Sequence, residues 1–156
     1  MSAPRRRDRL VLIGPPGFGA PVAGPALVSA HGFSARYDLD HTTGLISRES
    51  HELYGESVVG KILVVSTAKG GTATGWRLLD LVARGTAPRA LIFRRTNPVM
   101  VQGAVLAGIA IMHRLVPDPV DVLATGDVLH LAPAEGRVEA ERPEGFPSGP
   151  EGYELK

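Results

Sequence analysis

The sequence contains no cysteine among its 156 residues. Disulfide bonds are therefore excluded, and this chain cannot supply thiolate ligands to zinc or to an iron–sulfur cluster. Aromatic residues make up only 5% of the chain, and the formal net charge is +1. Because nucleic-acid-binding domains usually carry a strongly basic face, this charge balance predicts no nucleic acid partner.

Long apolar runs are also missing, since no segment approaches the roughly 18 residues that a transmembrane helix needs. We therefore expect no membrane partner, and the lack of cysteine fits a cytoplasmic location. The five histidines show no metal-ligand spacing, which predicts that this chain holds no metal and binds no cofactor of its own. They stand at positions 31, 41, 51, 113 and 130.

Glycine (19 residues) and proline (13 residues) are plentiful, and hydrophobic residues account for 44% of the chain. This composition predicts one α/β domain that is rich in β-strands, with a few short helices and many tight turns. We place the domain at residues 24–140. Residues 1–23, with 1–9 polar and basic, are expected to form an arm and an irregular lead-in, and residues 141–156 a disordered tail.

The central part of the chain has the pattern of a strand, a loop, a helix and a second strand. Lys61–Ser66 and Arg89–Phe93 are apolar on both faces, as in buried parallel strands. Between them, Trp76–Arg84 has helical spacing, with an apolar stripe that includes Trp76, Leu79, Val82 and Ala83. Gly85 is a typical helix stop. The order predicts a βαβ crossover with a parallel pair of strands.

Short strands are expected on both sides of this unit, and a helix is expected over 99–106, after Pro98. The strand expectations fall at 26–31, 33–37, 45–47, 109–112, 120–124, 128–131 and 136–140.

The loop over residues 67–75 is the strongest candidate site. A glycine-rich turn between a strand and a helix presents backbone N–H groups at the positive end of the helix, which favours an anion. Lys69 adds a positive charge, Gly70 and Gly71 shape the turn, and Thr72 and Thr74 offer hydroxyls. The alternative is an ordinary strand-to-helix turn in which Thr74 is the N-cap.

A second candidate group follows the strand Arg89–Phe93. Arg94, Arg95 and Asn97 stand where ligands bind in open α/β sheets, and two guanidiniums beside an amide suit a carboxylate or a phosphate. The alternative is a solvated pair of arginines at a strand end. If the crossover is correct, this group and the Lys69 loop share one edge of the sheet.

A family resemblance rests on the order of several small motifs between about Gly24 and Val138. The sequence resembles the small subunit of aconitase X, and its markers are Asp40 and Gly44, Gly55, Gly60-Lys61, the glycine-rich loop, Ala87-Pro88, Gly103-Ala104 and Thr125-Gly126-Asp127. The resemblance implies an aconitase-like swivelling β/β/α domain. It also implies a large-subunit partner that carries an iron–sulfur cluster and most of the active site. Members dehydrate hydroxy acids, cis-3-hydroxy-L-proline in bacteria and 5-phosphomevalonate in archaea.

In that family the loop usually reads Gly-Arg-Gly-Ser, and its serine is the proposed base. Here the stretch reads Ala68-Lys69-Gly70-Gly71-Thr72, so Lys69 takes the place of the arginine and Gly71 the place of the serine. Thr72 is the nearest hydroxyl. Three interpretations stay open: Thr72 replaces the serine, the chain uses another substrate, or it has lost activity.

The resemblance leads to a hypothesis of water elimination that is completed only in the two-subunit complex. Thr72 would take the substrate proton beside Lys69 and the helix N-terminus, and Arg94 would hold the substrate carboxylate. The competing hypothesis is a non-catalytic module that binds an anionic metabolite or serves assembly.

Overall fold

The computed structural model describes residues 9–143, which hold seven strands, three α-helices and one 3-10 turn. In chain order these are β1 (Arg9–Ile13), β2 (Val22–Val28), β3 (Ile62–Thr67), α1 (Thr72–Arg84), β4 (Ala90–Arg95), α2 (Pro98–Ala107), β5 (Ala110–His113), α3 (Pro119–Val122), β6 (Val128–Ala132), the 3-10 turn (Pro133–Glu135) and β7 (Arg137–Glu141). The strands form one sheet in the order β1-β7-β6-β2-β3-β4-β5.

Four neighbouring strands of this sheet run in the same direction. β2 pairs with β3, β3 with β4, and β4 with β5, each in parallel register. The predicted parallel crossover through β3, α1 and β4 is therefore confirmed. Because parallel neighbours end on the same side, the loops that follow β2 to β5 emerge together at what we call the carboxyl edge.

The other half of the sheet is antiparallel. β6 pairs with β2 and β7, and β1 pairs with β7 at the edge. Residues 9–13 thus form a strand, which corrects the expectation of an irregular arm there. The cause is pairing with β7, which buries Leu12 opposite Val138. Residues 1–8 and 144–156, where the rest of the arm and most of the tail were expected, lie outside the described residues.

The core lies on both faces of the sheet. In β3, Leu63 and Val65 face the side that α1 and α2 cover, while Ile62 and Val64 face the side of α3. Strand residues alternate between the two faces, so each strand of the parallel half must be apolar throughout. Full burial of all four side chains explains why this segment was identifiable from sequence.

Helix α1 begins at Thr72, four residues before the predicted start at Trp76. Gly75 was expected to belong to the loop, because glycine is unfavourable inside a helix. It lies inside α1 instead, where it faces Gly103 at the crossing of α1 and α2. A glycine lowers helix propensity, but two facing glycines let helix backbones approach closely. The predicted stop at Gly85 is confirmed by its left-handed φ of 73°.

The buried face of α1 also differs from the apolar stripe read in the sequence. Thr74, Leu78 and Leu81 are buried, whereas Trp76 is 64% exposed, and Leu79 and Val82 are also exposed. The buried face of α1 is therefore rotated relative to the predicted stripe. None of the helices within residues 9–143 has the length and apolar character that crossing a bilayer requires.

Three other expectations about secondary structure were wrong. Residues 119–122 form α3 because Asp118 caps the helix by accepting a 3.0 Å bond from the Val120 N–H, and Pro119 suits its first position. Residues 33–37 and 45–47 form turns with isolated bridges, within the long connection between β2 and β3.

The crossing of the two helices yields a stability prediction. A Cβ at position 103 would lie 2.5 Å from the Gly75 Cα, so Gly103→Ala should destabilise the fold by about 1–3 kcal/mol. A Cβ at position 75 has its nearest contact at 3.4 Å, so Gly75→Ala should be neutral or stabilise by up to about 1 kcal/mol. Urea denaturation of both variants checks this, and equal effects would contradict the described crossing.

Candidate functional site

Three loops are joined by hydrogen bonds at the carboxyl edge. After β2, the Phe33 N–H donates to the Thr67 carbonyl at 2.9 Å, and the Lys69 N–H donates back to the Phe33 carbonyl at 2.9 Å. After β4, Asn97 Nδ2 donates to the Ala68 carbonyl at 3.3 Å. These bonds fix the glycine-rich turn between its two neighbours.

The turn requires glycine at position 70 but not at position 71. Gly70 has a φ of 102°, and a Cβ there would collide with Thr74 Oγ1. Both the backbone and the space therefore exclude a side chain. Gly71 has a φ of −106°, and nothing lies within 4 Å of a Cβ built on it. A serine would fit at position 71.

The N-terminus of α1 has the features of an anion site. Gly71 is the N-cap, no side chain caps the first turn, and no acidic residue lies in that turn. The first N–H groups of a helix lack partners inside the helix and carry its positive dipole end. Lys69, Gly70 and Gly71 are all exposed, so this end of the helix is open to a ligand.

The two threonines of α1 have different surroundings. Thr72 is exposed at the first helical residue and lines a groove between α1 and α2, together with Gly75, Trp76, Val99, Gln102, Gly103 and Leu106. Thr74 is 1% exposed, and within residues 9–143 its Oγ1 has no hydrogen-bond partner. Thr74 as N-cap is therefore wrong, because Gly71 holds that position.

Arg94 and Arg95 do not act as a pair, because successive strand residues point to opposite faces of a sheet. Arg94 lies on the α3 side, where it forms ion pairs with Asp118 and, at 3.4 Å, with Asp121. Arg95 stands beside Thr67 in the strand register. The structure thus brings Arg95, but not Arg94, to the side of the glycine-rich turn.

Asn97 connects two elements of the edge. Its Oδ1 accepts a 2.8 Å bond from the Met100 N–H as the N-cap of α2, while its Nδ2 donates to Ala68. The amide that was predicted to contact substrate is engaged within the protein.

The most informative feature of the edge is its unpaired positive charge. Among residues 9–143, four lysine or arginine side chains have no carboxylate, hydrogen-bond or ring partner, and they are Lys61, Lys69, Arg95 and Arg114. Lys61 precedes β3 at the opposite edge. The other three follow or end β3, β4 and β5, so they concentrate at the carboxyl edge.

The pKa of His113 responds to two of these positive charges. Burial lowers the pKa of His113 below its ordinary value, and the positive charges of Arg114 and Arg95 lower it further. Its Nδ1 accepts a 3.3 Å bond from the Thr96 N–H. The ring is therefore a neutral imidazole over a wider pH range, with its proton on Nε2.

Sequence reasoning missed the contribution of the loop after β2. His51 Nε2 lies 2.8 Å from the Gly32 carbonyl, and Glu52 accepts a 3.0 Å bond from Ser29 Oγ. A Cβ at Gly32 would meet the Lys69 side chain, so this loop supports the lysine directly. The sequence offered one clue to this loop, the strand predicted over 26–31. If that strand is parallel to the next one, the loop after it must emerge at the carboxyl edge.

The residues present do not fit a metal cluster. Residues 9–143 contain no group of three histidine or carboxylate side chains that would hold a metal ion, and cysteine is absent from the whole sequence. Thiolate ligands for the iron–sulfur cluster that the resemblance implies are therefore absent from this sequence.

Comparison with known proteins places the fold. The family model for the aconitase X swivel domain matches residues 17–140. The chain belongs to this family. The swivel domain is 40% identical to the phosphomevalonate dehydratase small subunit of Methanopyrus kandleri over 119 residues, which cover 76% of this chain and 87% of the relative. It is 33% identical to the small subunit of the same name from Methanocella arvoryzae, over 78% of this chain and 92% of the relative.

Solved structures agree with this assignment. The swivel domain matches the crystal structure of Thermococcus kodakaraensis aconitase X in its holo-form, with a TM-score of 0.79 and 27% identity over 84% of this chain and 98% of that one. A solution NMR structure of a UPF0107 protein matches with a TM-score of 0.74 and 31% identity, over 84% of this chain and 98% of that one. The predicted family and fold class are confirmed, and the relatives bear the names of hydro-lyase subunits, as the resemblance implied.

The geometry of the turn predicts opposite responses at adjacent glycines. Gly70→Ala should cost about 1–2 kcal/mol or more, because alanine is strained at positive φ and meets Thr74. Gly71→Ser should gain a few tenths of a kcal/mol by capping α1. Chemical denaturation measures both, and a tolerated Gly70→Ala would show that the turn is not as described.

Proposed function

We propose that this chain is the small, swivel subunit of a two-subunit dehydratase, and that its carboxyl edge binds a small anionic hydroxy acid. The observation that supports the proposal best is the concentration of three unpaired cations at the carboxyl edge, one of which, Lys69, adjoins the uncapped N-terminus of α1. Burying negative charge there requires little rearrangement, because the positive groups have no internal partners to lose.

The substrate that we favour is a phosphorylated hydroxy acid of the phosphomevalonate type. The relatives with 33–40% identity carry that name. The number of unpaired cations supports the choice, because a substrate with two negative groups uses more than one of them. The smaller alternative, cis-3-hydroxy-L-proline, carries a single carboxylate and is retained as an outcome of the test.

Within this chain, Thr72 is the proposed proton acceptor. The C–H bond next to the substrate carboxylate breaks, its electrons form the carbon–carbon double bond, and hydroxide leaves from the neighbouring carbon. Thr72 Oγ1, which acts as an alkoxide after its own proton is lost, accepts this proton and then gives it to the departing hydroxide, so that water leaves and the base is regenerated. The helix N-terminus and Lys69 stabilise the negative charge on Oγ1. Gly71, which stands at the position of the family serine, has no side chain. Thr72 therefore carries the first hydroxyl of the helix.

A large subunit is the proposed partner. The relatives' names as small subunits support it, and so does the exposed edge, which offers a base and cations but no ligands for a cluster. We expect the partner to carry the iron–sulfur cluster and to cover the carboxyl edge, which excludes water from the reaction. A cytoplasmic location remains a prediction.

Reconstitution with the large subunit tests the role of Thr72. Thr72→Ala should lower kcat by about 10²–10⁴-fold, since removal of a general base costs that much. The matched control is Thr42→Ala, which removes an exposed hydroxyl from the turn at the other end of α1, where His41 accepts a bond from Thr86.

The possible outcomes are distinct. Wild-type turnover in Thr72→Ala would remove this residue from the mechanism. If Gly71→Ser restores turnover to Thr72→Ala, the family position remains competent and Thr72 substitutes for it. A stable chain that binds the organic acid but yields no dehydration with any large subunit would favour the non-catalytic module.

A further inference from the structure

We propose that Arg95 and Arg114 form a second anion-binding position at the carboxyl edge, which holds the phosphate end of the substrate and so sets specificity for hydroxy acids with two anionic groups. This inference rests on the proposed function, because the first position is the N-terminus of α1 beside Lys69. It assigns a binding role to Arg114, Thr96 and His113.

The contrast with Arg94 supports the inference. Arg94 is neutralised by two carboxylates on the α3 side, although it is adjacent to Arg95 in the chain. Arg95 and Arg114 have no such partners among residues 9–143. The 3.3 Å bond from the Thr96 N–H to His113 Nδ1 joins the residue after Arg95 to the residue before Arg114. Besides burial, both arginines lower the pKa of His113, so both positive charges act at this ring, where an anion would be stabilised by them.

The position of the pair suits a substrate with two charged ends. β4 lies next to β3, and β5 lies next to β4, all in parallel register. Neighbouring strands are about 4.8 Å apart, so the end of β5 is roughly 10 Å from the end of β3. A short carbon chain with a carboxylate at α1 and a phosphate at Arg95 and Arg114 fits this separation, whereas a single carboxylate leaves one position empty.

Two polar residues that adjoin the arginines in the chain, Thr96 after Arg95 and His113 before Arg114, complete the position. Thr96 Oγ1 is buried without a hydrogen-bond partner in the described part of the chain. His113 has its Nδ1 engaged by the Thr96 N–H, which leaves the Nε2–H as a donor. A hydroxyl, an imidazole N–H and two guanidiniums are a donor set for phosphate oxygens.

Steady-state kinetics of the reconstituted complex test the specificity. With phosphomevalonate, Arg95→Gln and Arg114→Gln should each raise KM by about 10–100-fold, the usual value of one charge-assisted hydrogen bond, and change kcat much less. Mevalonate without its phosphate should show the same KM in both variants as in the wild type. Lys61→Gln is the matched control, since it removes an unpaired cation at the opposite edge.

NMR of the full chain with inorganic phosphate gives a readout that does not need the partner. Phosphate should raise the pKa of His113, because the anion offsets the positive charges of Arg95 and Arg114. The shift should persist in Lys61→Gln and disappear in Arg95→Gln/Arg114→Gln.

The two measurements separate the inference from the proposed function. A complex that dehydrates phosphomevalonate with unchanged KM in both arginine variants overturns the inference alone. A complex that is inactive on every hydroxy acid, with a phosphate response at His113, overturns the proposed function and supports the phosphate position. No response at His113 to phosphate overturns the inference.

Discussion

Parallel pairing of β2, β3, β4 and β5 is the constraint on which the site depends. Hydrogen bonds between parallel neighbours force all four strands to end at one edge, so residues far apart in sequence meet there. Before their carboxyl ends, the strands contribute mainly apolar side chains that fill both faces of the sheet. The strands therefore position the loops and strand ends that carry the proposed chemistry.

Charge pairing distinguishes the carboxyl edge from the rest of the described surface. Elsewhere, most arginines form ion pairs with carboxylates, as Arg48 does with Asp38 at 2.9 Å and Arg142 with Asp127 at 2.9 Å, and Lys61 is the one unpaired cation of the described residues away from this edge. At the edge, Lys69 stands unpaired next to an uncapped helix end. Such a concentration of unpaired positive charge is unfavourable in the free subunit, and it becomes favourable when an anion binds under a partner that excludes water. The proposed two-subunit arrangement suits this requirement, because the large subunit would cover the edge once the substrate has bound.

The sequence was sufficient for the parts of the fold that depend on local pattern. Buried strands such as β3 were evident because both faces are apolar, and the end of α1 was evident from Gly85. The start of α1 was not, because Gly75 resembles a loop residue until its packing against Gly103 is known. The sequence predicts a strand in place of α3, because the few apolar residues of this short helix have no helical period of their own.

The candidate site was only partly predictable for the same reason. The glycine-rich turn is contiguous in sequence and was found, whereas Arg114 follows a separate strand and carries no local motif. Arg94 and Arg95 are equivalent as neighbours in the sequence, yet strand alternation places them on opposite faces of the sheet. Only the fold shows that Arg94 lies on the face where Asp118 and Asp121 form ion pairs with it. Contacts between residues far apart in the sequence determine which lysine and arginine side chains lack a carboxylate partner, and the sequence alone does not reveal those contacts.

The central claim is that the carboxyl edge binds the substrate anion beneath the large subunit. A crystal structure of the reconstituted complex with a bound substrate analogue tests it most directly. We expect an anionic group within about 3 Å of the first backbone N–H groups of α1, with the partner covering Lys69 and Arg95. An analogue bound elsewhere, with the carboxyl edge open to solvent, would contradict the account.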